Sequence, residues 1–233
     1  MRVLQLVDSL EAGGTERMAV NLANGLVKNI EQSFLCASRS GGILESEIGE
    51  EVRVLFLNRR HTFDFKSAKK LVRFVRSNHI DIVHAHGSSF FLGGIIKCFI
   101  PRLKLLWHDH NGQRQTSALH QRWTIILMSV LFDAVVVVNK TLMHWARKNL
   151  WSKNISVQPN FVCMPNVDAL PEIDISGTQK KRLLSVANIK PVKDQVTLIK
   201  AFALVKKAEP LCTLHLVGQI QDKNYKNVLD LLI

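Results

Sequence analysis

The sequence predicts an α/β fold built on a doubly wound parallel sheet, followed by the start of a second unit of the same kind. Three observations carry that expectation. Short β-rich runs alternate with helical patterns along the whole chain. The runs are apolar at nearly every position rather than at every second one, as strands buried on both faces are. Polar clusters fall just after the runs, where open parallel sheets place their ligands. Together these describe a Rossmann-like architecture.

The elements follow in order. Val3–Val7 is a buried strand. Glu16 to Val27 is helical, with Met18, Leu22 and Leu26 spaced four apart on one face. Strands are expected at Ser33–Ala37 and Val52–Leu57. Asp64 to Ser77 reads as a helix capped by Asp64, with Phe65, Ala68, Val72 and Val75 on one side and Lys66, Lys69, Lys70, Arg73 and Arg76 over the rest. Then come a strand at Ile80–His84, a helix near Ser88–Phe99, a strand at Lys104–His108, a helix near Ser117–Leu131 and a strand at Ala134–Val138. A helix at Leu142–Leu150 and a strand at Ile155–Gln158 complete a first domain over residues 1–165. Residues 166–180, with Pro171, Gly177 and acidic Asp168, Glu172 and Asp174, read as a linker. Residues 181–233 open a second domain: strand Arg182–Ala187, helix Gln195–Lys207, strand Leu211–Val217 and a helical pattern from Tyr225 to Ile233. Two strands are too few to bury both faces of a parallel sheet, so this second domain reads as incomplete.

Composition excludes several classes. The 233 residues are 47% hydrophobic and 21% charged with only 12 Gly and 6 Pro, which is not a disordered or low-complexity chain. Cys36, Cys98, Cys163 and Cys212 form no C-x-x-C pair, so neither a zinc knuckle nor a disulfide scaffold is indicated and a reducing compartment is expected. The most apolar stretch, Trp123 to Val138, is interrupted by Asp133 and is shorter than a spanning helix needs. A cytoplasmic protein is expected, at most peripheral on the inner face of the cell membrane. The formal net charge is +12, and residues 1–165 hold 21 basic against 12 acidic residues. Such a surface suits phosphate-bearing partners or an anionic membrane. Nucleic acid is not expected as a partner: there is no zinc finger, RNP motif or Arg-rich run, and only one Tyr.

Four constellations carry chemistry. Gly13-Gly14-Thr15-Glu16-Arg17 follows the first strand. It is either an anion cradle at a helix start or a tight turn capped by Thr15, and it lacks the G-x-G-x-x-G of dinucleotide folds. His84-Ala85-His86-Gly87 and His108-Asp109-His110-Asn111-Gly112 each close a strand. Their i, i+2 spacing turns both rings of a pair to one face. Metal binding by these imidazoles weighs less than hydrogen bonding to substrate, because no H-E-x-x-H, Cys pair or carboxylate-rich run accompanies them; no metal is expected. Asn188-Ile189-Lys190-Pro191-Val192-Lys193-Asp194 places two lysines beside a proline turn and a helix start. It reads either as a diphosphate clamp or as a solvated loop.

In this order and spacing the pieces resemble glycosyltransferase family 4, retaining sugar transferases of the two-domain GT-B fold. Asp8-Ser9-Leu10 with Gly13-Gly14-Thr15-Glu16-Arg17 resembles the family's opening G-G-x-E-R loop. Asp81-Ile82-Val83-His84-Ala85-His86-Gly87 is similar to its D-h-h-H-x-H segment, where h is apolar. Lys104 to Asn111 resembles the strand ending in the active-site histidine, Asp133 to Asn139 the next strand and its turn, and Val157-Gln158-Pro159-Asn160 the interdomain segment. Leu184 to Lys193, Ala201-Phe202 and Leu216-Val217-Gly218 are similar to the start of the donor domain.

The resemblance implies a hexosyltransferase-like enzyme of polysaccharide, lipopolysaccharide or capsule biosynthesis. A nucleoside-diphosphate sugar would be its donor, a polysaccharide or lipid-linked glycan its acceptor, and no cofactor would be required. It places the active-site histidine at His110, with His108 able to exchange roles with it. Gly13, Gly14, Lys193, Asn188 and Lys190 fall on the donor and phosphate side, with Asn188 replacing the family's arginine. Thr15, Glu16, His84 and His86 fall on the acceptor side. The family's E-x7-E segment does not occur before Ile233, so the isolated chain is expected to be truncated and inactive alone. The alternative is a non-catalytic acceptor-binding or scaffold module.

Overall fold

The computed structural model describes residues 1–112, 119–163 and 173–233, and the chain divides into two units, Met1–Met164 and Pro165–Ile233. The first unit is built on strands β1 (Arg2–Val7), β2 (Gln32–Ala37), β3 (Arg53–Phe56), β4 (Ile82–His86), β5 (Lys104–Asp109), β6 (Ala134–Val137) and β7 (Ile155–Val157). They form one sheet of order β3-β2-β1-β4-β5-β6-β7, with every pairing parallel. Helices α1 (Gly14–Leu26), α2 (Phe65–Ser77), α3 (Phe90–Phe99), α4 (Leu119–Met128) and α5 (Lys140–Asn149) connect them.

Side-chain alternation along the strands sorts the helices into two layers. Leu4 and Leu6 of β1, Val83 and Ala85 of β4 and Trp107 of β5 share a core with Leu71 of α2, Ile96 of α3, Ile125 of α4 and Trp145 of α5. Val7 of β1 and Leu35 and Ala37 of β2 point the other way and pack on Ala19, Val20 and Ala23 of α1. The in-between positions of β1, β4 and β5 therefore lie on the α1 face. Among them Gln5, His84, His86 and His108 form a polar group inside an otherwise apolar sheet, and all four are buried.

Asp64 caps α2 as expected, accepting from the Ser67 amide at 3.0 Å and the Ser67 hydroxyl at 2.8 Å. Other boundaries differ. Strand β4 runs on to His86, because β5 continues to pair with it as far as His108; His84 and His86 sit within the strand rather than closing it. Strand β5 likewise reaches Asp109. Helix α1 starts at Gly14 with Gly13, not Thr15, as its cap residue. A 3-10 turn over Gly87–Ser89 precedes α3. Ser117 lies outside the described residues, as do residues 166–172 of the expected linker.

The second unit pairs β8 (Arg182–Val186) with β9 (Thr213–Val217) in parallel. Helices α6 (Gln195–Ala208) and α7 (Lys223–Asp230) accompany them, and Ile189, Ile199 and Leu229 form its small core. Helix α7 begins two residues before Tyr225 because Asp222 caps it, accepting from the Tyr225 amide at 2.9 Å. Among the described residues no helix is long and apolar enough to cross a membrane.

Candidate functional site

Strand order reverses between β1 and β4: the chain leaves β1 toward β2 on one side and β4 toward β5 on the other. A crevice opens at the carboxyl ends of strands at such a switch point. Asp8, the residue after β1, stands there. Its carboxylate accepts from the hydroxyls of Ser38 (2.7 Å), Ser88 (2.6 Å) and Ser89 (3.1 Å). Arg59 Nη2 donates to it at 3.2 Å and Arg39 Nε lies 3.7 Å away. Burial pushes the Asp8 pKa up, but the serine hydrogen bonds and the two guanidinium charges outweigh it and hold the carboxyl below its ordinary value. One side chain thus ties the ends of β1, β2 and β4 together and fixes a buried arginine.

Around this anchor lies a cavity of about 730 Å³. Asp8, Thr15, Arg39 and Arg59 line one part of it, Gly87, Ser88, His110 and Asn111 another, and Phe63, Phe90, Phe91, Thr124 and Ile125 the rest. Phe63 meets Phe91 edge-on, with ring centroids 5.5 Å apart. Gly87 adopts φ of +54°, which glycine reaches without strain. That turn aims its carbonyl at Trp107 Nε1, 2.9 Å away, and starts the 3-10 turn bearing Ser88 and Ser89.

The loop before α1 contributes differently. Gly13 caps the helix with extended backbone and no side-chain hydrogen bond. A Cβ on Gly13 would meet the Glu16 carboxylate at 2.1 Å, so glycine lets Glu16 fold back over the loop. Glu16 thereby sets its own carboxylate at the helix N-terminus, where the macrodipole favours an anion.

The histidines form a buried column. His84 stacks on His108 with centroids 5.2 Å apart, and His108 on His110 at 4.0 Å. His86 Nε2 lies 2.7 Å from Gln5 Oε1 and His86 Nδ1 lies 3.1 Å from His110 Nε2. An amide oxygen only accepts, so with Gln5 Oε1 at its Nε2 His86 donates there and accepts at Nδ1 from His110 Nε2. Burial, with the neighbouring imidazoles, lowers the pKa of His84 to about 4 and of His108 to about 2, and lowers His86 well below its usual value. His110 is also lowered by burial, with Asn160 and Asp109 opposing the shift. The column is therefore neutral at pH 7. His110 lines the cavity, whereas His108 is fully buried behind it.

His84, His86 and His108 each bring a nitrogen within 4.8 Å of the others, the geometry closest to a metal set among the described residues. Both nitrogens of His86 are already engaged, so it would have to release Gln5 or His110 to bind an ion.

On the second unit, Lys190 precedes the 3-10 turn Pro191–Lys193, and Lys193 is exposed. Asp194 follows with φ of +51° and caps α6. Asn188 is used structurally: its Oδ1 accepts from the Gln219 amide at 3.3 Å and its carbonyl from Gln195 Nε2 at 3.0 Å, joining the loops after β8 and β9.

Of the residues singled out in the sequence, Thr15, His84, His86, His108 and His110 come together with the Gly13-Gly14 loop within the first unit. Asp8, Arg39, Arg59 and the phenylalanines were not singled out. For Asp8 the signal was available, an acidic residue directly after a largely apolar strand. Arg59 and Phe63 lie in a loop with no motif, and only folding brings them to the cavity.

Residues 12–164 match the family model described as Glycosyltransferase Family 4. The chain is 24% identical over 226 residues to an uncharacterized glycosyltransferase of Haemophilus influenzae, covering 93% of this chain and 62% of that protein. Its fold is similar to that of Anabaena HepE solved with UDP and glucose, with a TM-score of 0.75 at 17% identity over 100% of this chain and 65% of that one. A TarM mutant of S. aureus, solved with fondaparinux, alpha-GlcNAc-glycerol and UDP, superposes with a TM-score of 0.66 at 11% identity, over 99% of this chain and 75% of that one. At such identities the structural likeness speaks to the fold. The chain spans 62% of the length of the curated relative and 65% of HepE.

Proposed function

This chain belongs to glycosyltransferase family 4, and from that membership we propose that it transfers a sugar from a nucleoside-diphosphate donor to a hydroxyl of a glycan or lipid-linked acceptor, with the anomeric configuration retained. The observation that carries the reading is the cavity of about 730 Å³ at the switch point, where Thr15, Ser88 and His110 converge on one space. The complexes of HepE with UDP and glucose and of TarM with UDP support a nucleotide-sugar donor. Work at the cytoplasmic side of the membrane, where such donors are made, is part of the proposal.

In this reading the acceptor occupies the first unit's cavity, with Phe63 and Phe91 offering apolar faces to a sugar ring and Thr15 and Ser88 meeting hydroxyls. The bond between the anomeric carbon and the diphosphate oxygen breaks, its electron pair leaves with the diphosphate, and the acceptor oxygen bonds the same carbon on the same face while its proton passes to the departing diphosphate oxygen. On the second unit, Lys193, with Lys190 beside it, offers positive charge to the departing diphosphate. His110, neutral and held at Nε2, orients the transferred sugar.

The test extends this chain to the length of its relatives and supplies nucleotide sugars with glycan acceptors. The expected outcome is release of nucleoside diphosphate coupled to a product whose anomeric proton shows the donor's configuration by NMR. An inverted linkage would remove the retaining mechanism. Absence of transfer with every nucleotide sugar tried would remove the reading as a whole.

A further inference from the structure

The outer face of α4 does not belong to the cavity. Trp123 and Leu127, one turn apart, and Val130 in the 3-10 turn that follows are 62%, 69% and 68% exposed. Trp151, whose amide donates to Ser129 Oγ at 3.0 Å, extends the same strip and is 72% exposed. Two tryptophans and two aliphatic side chains facing outward together exceed the scattered exposed apolar residue that needs no explanation.

Charge identifies what covers the strip. Between residues 119 and 163 the chain carries Arg122, Lys140, Arg147, Lys148 and Lys153 but a single acidic residue, Asp133. Asp133 is held by Lys97 at 2.8 Å and Lys104 at 3.2 Å. Arg122 adjoins Trp123, while Arg147, Lys148 and Lys153 flank Trp151. Helix α2, in the same layer beyond α3, adds exposed Lys66, Lys69, Lys70, Arg73 and Arg76. A protein partner would be met with a mixed-sign rim. Tryptophan with aliphatic side chains set among cations, with acids nearly absent, is the composition that sits in the headgroup region of an anionic bilayer.

We propose that the first unit docks on an anionic phospholipid surface through Trp123, Leu127, Val130 and Trp151, with the cations of α4, α5 and α2 on the headgroups. Thr124 and Ile125, between the docking residues of the same helix, line the acceptor cavity. Docking therefore sets the cavity beside the bilayer, where a lipid-linked acceptor is held. Only this last consequence rests on the sugar-transfer reading; the docking needs neither donor nor turnover, so the two fail separately.

The experiment uses the 233-residue chain and sedimenting vesicles of phosphatidylcholine with or without phosphatidylglycerol. Binding is expected to be at least about tenfold stronger with phosphatidylglycerol and to weaken in high salt. Tryptophan emission should shift to the blue on those vesicles, since Trp107 and Trp145 are already buried and Trp123 and Trp151 are the ones that change environment. The double substitution Trp123→Ser with Leu127→Ser, at exposed positions that leave the core intact, should reduce binding by at least about tenfold with unchanged circular dichroism and Tm. No preference for phosphatidylglycerol, or undiminished binding by the double variant, would overturn the proposal. So would a dimer in sedimentation that the double variant abolishes while wild-type chain ignores vesicles.

Discussion

His86 Nδ1 stands 3.1 Å from His110 Nε2, and the other nitrogen of His86 is held by Gln5 at 2.7 Å. A ring at the cavity is thereby oriented through a second, fully buried ring by an amide on the neighbouring strand. Gln5 is opposite His84 in the β1–β4 register, and His86 opposite His108 in the β4–β5 register. The arrangement is a property of three adjacent strands, not of either histidine motif alone.

From this contact, His86→Phe in a polypeptide of the relatives' length should lower kcat roughly 10- to 100-fold with little change in KM for donor, because His110 loses orientation but keeps its place. His110→Ala should cost at least as much. A His86→Phe enzyme within a few-fold of wild type would show that the contact does not position His110.

The neutral column makes stability depend on pH. The folded pKa of His84 is about 4 against an ordinary 6.5, and those of His86, His108 and His110 are lowered too. The unfolded chain therefore takes up protons that the folded chain refuses. Stability is full above pH 6.5 and should fall by roughly 1.4 kcal/mol per pH unit, for each imidazole kept neutral, between 6.5 and about 4. Asp8, with its lowered pKa, adds a loss in the same direction at lower pH. Denaturant titrations at pH 7.5 and 5 measure it; equal midpoints would contradict the column.

Asp8 balances Arg59, whose side chain is 4% exposed. Asp8→Ala should destabilise by about 2–3 kcal/mol, less than a fully buried pair because Asp8 itself is partly exposed. Adding Arg59→Leu should recover part of the loss, since the uncompensated charge is then gone. Thermal unfolding of the two variants decides it: a double variant less stable than Asp8→Ala would refute the charge argument.

Lys193 is exposed at the end of the turn before α6. Lys193→Ala should weaken binding of a nucleoside diphosphate by about tenfold, and Lys193→Arg should largely restore it. Calorimetry with UDP is the measurement, and an unchanged affinity would remove Lys193 from the donor side.

Much of the fold was legible before folding was considered. Runs apolar at nearly every position, such as Val3–Val7 with only Gln5 polar, point to strands covered on both faces, and α2 announces its start through Asp64 and its buried side through its spacing. Strand ends were less legible. Whether His86 or Asp109 remains in a strand depends on what pairs alongside, and pairing partners are far away in sequence.

Local sequence determined the element types, the parallel sheet and the two histidine pairs at its carboxyl edge, because periodicity and caps act over a few residues. Tertiary structure alone decided which residues share the cavity. Asp8, Arg59 and Ser88 are separated by dozens of residues, yet a strand order that reverses at β1 and β4 brings their side chains within hydrogen-bonding distance. It also decided that His110 faces the cavity and His108 does not, since exposure is set by the neighbours that fold over a ring rather than by the ring's place in its motif.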